Sequence, residues 1–192
     1  MNPQIILASS SPRRNSLLAE TGLKFKTVPS YIDEKAKYLE NAEKFALRIA
    51  KEKALKSSLI ADGIIIAADT VIKLDNSIVG KPKNEKDALR ILSLLSGKKH
   101  TVITGLAIYD TSKKKFYTKC VKTYVTMDVL SHEQIKSYVK TGEPLDKAGG
   151  YAIQGKGKLF IRKIDGCYFN VVGLPLNALT KLLKKAGCKK LF

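Results

Sequence analysis

Ile6-Leu7-Ala8-Ser9-Ser10-Ser11-Pro12-Arg13-Arg14 sets the architecture of this chain. An apolar run gives way to three hydroxyl residues, a proline and two adjacent arginines. Leu17 and Leu18 then resume an apolar pattern that Gly22 stops. The order reads as a strand over 4–8, a tight loop and a helix over 12–21. Pro12 suits the first helical position, where a missing N–H costs nothing. The other N–H groups of that turn have no intrahelical acceptor, and two guanidinium groups leave from the same place. Two readings stand: a corner that holds a phosphate chain, or a capped helix whose arginines face solvent.

The remaining pattern extends this strand–helix alternation. Phe25–Pro29 reads as a strand, residues 41–58 as the longest helix, and Gly63–Ala68 as an apolar strand buried on both faces. Val71–Leu74 and Ser77–Val79 flank Asp75-Asn76, a hairpin signal. Asn84 caps a helix over 85–96 that Gly97 ends. Two long strands, 100–110 and 115–129, are joined by a basic turn at Lys113–Lys115. Ser131-His132-Glu133-Gln134 is a capping box whose helix stops at Gly142. Leu159–Ile164 and Cys167–Val171 flank Asp165-Gly166, read as a second hairpin. Pro175 starts a last helix that Gly187 ends. The sum is mixed α/β: a sheet with helices outside it.

Composition narrows the class. The 192 residues fit one domain, or two small lobes sharing a core. Apolar content of 44% with 27% charged residues is that of a folded protein. No apolar run approaches a membrane span, and the N-terminus lacks a basic segment before an apolar one, so no signal peptide is expected. Cys120, Cys167 and Cys188 have no metal-ligand spacing, which points to free thiols in a reducing cytoplasm. The net charge of +18 invites a nucleic-acid reading. Against it, 30 of the 35 cationic residues are lysines, whereas base and phosphate readers lean on arginine. Most lysines fall at outward positions or in a tail such as Lys184, Lys185, Lys189 and Lys190. Two of the five arginines sit side by side in the opening motif.

Several charges sit against the pattern. Asp69 follows the run Ile64–Ala68, and a carboxylate at the end of a buried strand needs a pair or a cation unless it merely starts a turn. Ligands of open α/β sheets bind beyond the carboxyl ends of strands, and Thr70 adds a hydroxyl there. Lys53 falls on the apolar stripe Ala42, Phe45, Ala46, Ile49, Ala50 and Ala54, so it either snorkels to the rim or reaches an anion. Gly80-Lys81-Pro82-Lys83 is a turn that aims Lys81. Asp33 and Glu34 are either a solvated loop or, with Asp69, oxygen ligands for a hard divalent cation. Glu143–Gly155 is a shaped loop with three glycines and a proline, in which Gln154 offers an amide that both donates and accepts. His100 and His132 are too isolated for a nucleophile–base pair.

With these residues in place, the chain resembles the Maf family of nucleoside triphosphate pyrophosphatases over nearly its whole length. The resemblance rests on Ala8–Arg14, Lys51-Glu52-Lys53-Ala54, Ala68-Asp69-Thr70-Val71 and Gly80-Lys81-Pro82. It continues in Leu95-Ser96-Gly97 with His100, Glu143–Gly149, Ile153-Gln154-Gly155 and Val172-Gly173-Leu174-Pro175. Ser10 stands where the family often has glycine. The resemblance implies an elongated mixed sheet with flanking helices around a central nucleotide-binding cleft, similar to inosine triphosphatases. It makes residues 1–192 one domain of two lobes. It implies a cytoplasmic enzyme, often a homodimer, that cleans nucleotide pools by releasing pyrophosphate with a divalent metal, Mg²⁺ or Mn²⁺. Asp69 would be the catalytic base. Arg13, Thr70 and Gln154 would set specificity. Ser9, Arg14, Lys53 and Lys81 would bind the triphosphate, and Glu34 with Asp69 the metal. The segment 145–154 is similar to that of the branch acting on dTTP and UTP, with modified pyrimidine nucleotides as further substrates.

The mechanism so implied has Glu34 and Asp69, with Asp33 as a third candidate, holding the metal. Asp69 orients or deprotonates a water for attack at the α-phosphorus, and Arg13, Arg14, Lys53 and Lys81 neutralise the departing pyrophosphate. Two alternatives compete: a pyrophosphatase for purine or modified nucleotides of the 7-methyl-GTP or ITP type, and a protein that binds nucleic acid or division machinery.

Overall fold

The computed structural model describes residues 3–188. Lys189 and Lys190, read above as part of a basic tail, lie outside the described residues. The opening stretch folds as a strand β1 (Ile5–Leu7) and a helix α1 (Pro12–Ala19), with Ser11 at its N-cap and Pro12 in its first turn. β1 runs parallel to β2 (Lys26–Thr27) and to β3 (Ile64–Leu74). The strand expected over 25–29 shrinks to two residues because β2 lies at the end of the strand order and both its side chains are exposed.

β3 corrects the sequence reading. The strand does not end at Ala68 but runs for eleven residues, so Asp69 and Thr70 lie inside it. Aspartate is poor in strands. Here Val71, Ile72 and Leu74 resume buried positions beyond it, and its charge has a partner on a neighbouring helix. The hairpin expected at Asp75-Asn76 is present: β4 (Ser77–Val79) is antiparallel to β3 with Leu74 opposite Ser77, and Asp75 takes φ 51°. β5 (Lys99–Asp110) and β6 (Lys115–Met127) are the two long strands, with Lys114 at φ 50° in the basic turn between them. β7 (Ile161–Asp165) is antiparallel to β6, and the strand order is β2-β1-β3-β5-β6-β7 with β4 on β3. The mixed sheet is thus as expected.

The second hairpin is not. Residues 156–160 form a 3₁₀ turn, and Tyr168–Val172 is a short helix rather than a strand. Asp165-Gly166 has the local signature of a tight hairpin, but tertiary bonds decide otherwise. Thr123 Oγ1 accepts from the Cys167 N–H at 3.1 Å and lies 3.2 Å from its carbonyl oxygen. The buried Asn170 amide donates to Val102 O at 3.1 Å and Thr123 Oγ1 at 3.0 Å. β7 is already paired with β6, leaving 167–172 free to coil.

The longer helices start and stop where their caps dictate. α2 (Ala42–Ser58) is capped by Asn41, α3 (Glu85–Leu95) by Asn84, and α4 (His132–Val139) by the complete capping box of Ser131 and Gln134. With Tyr168–Val172 as α5, α6 (Leu176–Ala186) follows Pro175 and ends at Gly187, φ 100°.

The chain forms two compact units. Among the described residues, the first comprises 3–69, Thr104–Val121 and 173–188. A core there joins Ile6 of β1, the following Ala8, and Ile65 and Ala67 of β3 to Ala54 of α2. Gly105 of β5 lies against the α2 backbone at Ala46 and Leu47, where a Cβ would fall inside contact distance. The second comprises Thr70–Ile103 and Lys122–Val172. Its core packs α3 and α4 through Ile91, Leu92, Leu95, Ile135 and Val139 on Ile72, Val102 and Val125. Among the described residues no helix is long and apolar enough to cross a membrane.

Candidate active site

The first unit gathers most of the unusual charges. Lys53, on the inner stripe of α2, is 7% exposed, and Asp69 on β3 is 5% exposed. The Lys53 ammonium donates to Asp69 Oδ1 at 2.8 Å and pairs with Glu34 Oε1 at 2.7 Å. It does not snorkel. Burying a lone ammonium or carboxylate costs several kcal/mol, so each group is tolerable only because the other is there. The α2 pattern that looks faulty at position 53 is therefore complete once β3 is beside it.

The opening motif supplies the next layer. Ser9 is buried, and its Oγ accepts from the Ser11 N–H at 3.2 Å and lies 3.5 Å from Arg14 Nη1. Arg14 Nε donates to Gly173 O at 2.9 Å, fixing the guanidinium against the segment that leads into α6. Burial draws the Arg14 guanidinium below its ordinary pKa, while the charges of Asp69 and Glu34 oppose that shift. An arginine stays charged through such a change. Arg13, its neighbour in the same turn of α1, is half-buried. Ser9, Arg14, Glu34, Lys53 and Asp69 thus form one mixed-charge cluster within this unit.

Asp33 does not join it. Its carboxylate is largely exposed and pairs with Lys35 at 2.9 Å. Among the described residues no set of three or more His, Cys, Asp or Glu side chains converges to hold a metal. Two carboxylates do converge, since Glu34 and Asp69 meet on a single ammonium. Hard oxygen donors of that kind suit a divalent cation of the Mg²⁺ type, which takes one or two protein carboxylates and completes its shell with water and substrate phosphate. The donor set therefore fits such an ion in that mode and not as an all-protein cage.

The other expected residues lie in the second unit. Thr70 is half-buried on β3, and Lys81 and Gln154 are exposed. The Gly80 carbonyl, next to Lys81, accepts from the Gly149 N–H at 2.9 Å, so the Lys81 turn is tied to the glycine loop. Gly149, φ 71°, has no room for a Cβ against Ile72. His100 is buried and its Nε2 lies 2.7 Å from the Tyr151 hydroxyl. Burial lowers its pKa to about 4, which leaves the ring neutral and structural at neutral pH. His132 opens α4 within the capping box.

The sequence reading passed over Arg48. Its guanidinium binds Glu40 at 2.7 Å through Nε and again through Nη2, Glu52 at 3.0 Å and the Lys35 carbonyl at 2.9 Å. It clamps the irregular segment after Glu34 onto α2. The i,i+4 spacing of Arg48 and Glu52 was a readable sign. The bond to Glu40 has no local signature.

Comparison with known proteins identifies the relatives of the chain. The profile of the family described as Maf-like protein matches residues 4–186. The dTTP/UTP pyrophosphatase of Caldicellulosiruptor saccharolyticus is 46% identical over 189 residues, covering 96% of this chain and 95% of that protein. The protein of the same description from Dictyoglomus turgidum is 46% identical over 193 residues, covering 97% and 98%. In fold the chain is similar to the Ham1 protein of Staphylococcus aureus, with a TM-score of 0.54 at 13% identity, covering 95% of this chain and 99% of that one.

Proposed function

The chain belongs to the Maf family, and from that membership we propose that it hydrolyses nucleoside triphosphates to the monophosphate and pyrophosphate, with dTTP and UTP preferred. The observation that carries the reading is the buried Lys53 ammonium shared by Asp69 and Glu34 beside Arg14. Cations and carboxylates side by side are what attack on a polyphosphate needs, since the work is positioning and charge stabilisation. Relatives named dTTP/UTP pyrophosphatase at 46% identity support the substrate class.

In this reading Asp69 accepts a proton from the attacking water. The water oxygen bonds to the α-phosphorus as the bond from that phosphorus to the bridging oxygen breaks, and pyrophosphate leaves. Lys53 and Arg14 stabilise the negative charge that accumulates on it. Ser9 holds Arg14 in place. Glu34 and Asp69 would hold a divalent cation, which when bound supplies further neutralisation of the phosphate oxygens. Arg13, Thr70 and Gln154 are assigned to substrate choice and Lys81 to the phosphates, on the family resemblance. Three free cysteines and a nucleotide substrate fit the cytoplasm.

The test is pyrophosphate release from dTTP, UTP, CTP, GTP, ATP and ITP, each with Mg²⁺, with Mn²⁺ and with chelator. Release from dTTP and UTP, lost on chelation, is expected. A preference for ITP or a methylated purine would reject the pyrimidine assignment.

A further inference from the structure

Glu143 is the one carboxylate of the glycine loop that faces inward. Its Oε2 accepts from the Lys156 N–H at 3.0 Å. Its Oε1 accepts from the Gly157 N–H at 3.1 Å and from the Tyr138 hydroxyl at 2.7 Å. The Tyr138 oxygen in turn accepts from the Ala152 N–H at 3.1 Å. Three backbone amides on both sides of Gln154 thus end on one tyrosine–carboxylate pair. Gly155, directly after Gln154, is stacked on the carboxylate so closely that a Cβ there would overlap its oxygens. Tyr138 is anchored in turn: it is 4% exposed, on α4, with its ring edge-to-face on Phe160 at 5.0 Å. Burial raises the Glu143 pKa, but the bonds from Lys156, Tyr138 and Gly157 outweigh it and hold the group ionised.

A carboxylate is suited to this place. It accepts at both oxygens and donates nothing, whereas an amide of the same shape would turn an NH₂ toward a backbone N–H. Bonds to an ionised acceptor are also the stronger kind. The Gln154 side chain is exposed, while Tyr151, Ala152 and Phe160 on either side of it are buried. Between those anchors Glu143 and Tyr138 hold the turn by hydrogen bonds.

We infer that Glu143 and Tyr138 are positioning residues for nucleobase discrimination: they fix the backbone that aims the Gln154 amide at the pyrimidine edge. The inference rests on the assignment of Gln154 as a specificity residue, and the experiment separates the two. Steady-state constants are measured for UTP, dTTP, CTP and ITP with the wild-type chain, Gln154→Ala, Glu143→Gln, Tyr138→Phe and the double variant Gln154→Ala/Glu143→Gln. Circular dichroism and thermal midpoints are recorded alongside. Glu143→Gln is expected to cut the kcat/KM advantage of UTP over CTP by about tenfold, through KM more than kcat, with Tyr138→Phe smaller in the same direction. The double variant is expected to match Gln154→Ala, since the two act as one unit. If Gln154→Ala relaxes base preference while Glu143→Gln and Tyr138→Phe do not, the positioning role is overturned and the Gln154 assignment stands. Should Gln154→Ala leave base preference untouched, the assignment itself fails and the inference with it. Were Glu143→Gln too unstable to assay, Tyr138→Phe decides by the same ratio.

Discussion

Helix α2 carries two cation–carboxylate clusters, and they are built on opposite principles. Arg48 and Lys53 project about 140° apart around it at 100° per residue. Arg48 presents a planar fork, and its nitrogens end on Glu40, Glu52 and a main-chain carbonyl. Each bond has a fixed direction, so the cluster can hold nothing else. Lys53 presents a compact point charge between Glu34 and Asp69. An ammonium prescribes no plane, and carboxylates gathered round it can trade it for another cation or share it with an arriving phosphate. In the proposed reaction the first cluster is a clasp and the second an exchange site. The choice of cation, and which face meets β3, separates them.

The largest effect should come from the second cluster. Asp69→Asn is expected to lower pyrophosphate release by about 10³-fold, the range for a lost general base, while circular dichroism stays that of the wild type. Near-normal turnover would remove Asp69 from the chemistry. Next, Lys53→Met should reduce release on the order of 10²-fold, whereas Arg48→Met should leave it within about threefold and lower the thermal midpoint by on the order of 5 °C. Equal losses of activity in both variants would erase the distinction between clasp and exchange site.

A separate effect lies in the pH dependence of stability. Arg48 holds the Glu40 carboxyl at about 2 against an ordinary 4.5. A depressed carboxyl stabilises the fold fully above 4.5, and the gain is lost as pH falls from there to about 2. The midpoint difference between wild type and Arg48→Met should shrink across that window. His100 acts higher. Its folded pKa of about 4 lies below the ordinary 6.5, so the unfolded chain takes up a proton in this range that the fold refuses. Stability should fall as pH drops from 6.5 to about 4, by on the order of 3 kcal/mol, and His100→Gln should flatten that slope in thermal melts.

What could be read in the sequence follows the range of the forces involved. Caps, turns and helical stripes act over a few residues, so α2, α3, α4 and the Asp75-Asn76 turn were legible. Lys53 was legible as an anomaly because it broke a stripe, although only β3 explains it. The strand through Asp69 was cut short because a local rule ends strands at aspartate, and the residue that neutralises it lies on another element. Asp165-Gly166 failed for the same reason: Thr123 and Val102, far along the chain, bind Cys167 and Asn170 and override the turn. Arg13, Lys81 and Gln154 were legible as groups able to meet a phosphate or a base edge, and Thr70 as a hydroxyl beside Asp69, but the division of roles among them came from the resemblance. The role of Glu143 gave no signal, since its partners are two backbone amides and a tyrosine of the preceding helix, a set with no local signature.

Gly105 gives the exchange site its tolerance. Because β5 has no side chain there, the α2 backbone at Ala46 rests directly on the strand. A helix seated on side chains can settle by rotamer changes, but one seated on backbone has a hard stop. The depth and rotation of α2 are therefore machined rather than adjusted, and Lys53, two turns further on, inherits that accuracy. The hydrogen atom at Gly105 works as a datum surface: in the proposed reaction, the dimension that matters is set from a position that touches no reacting group.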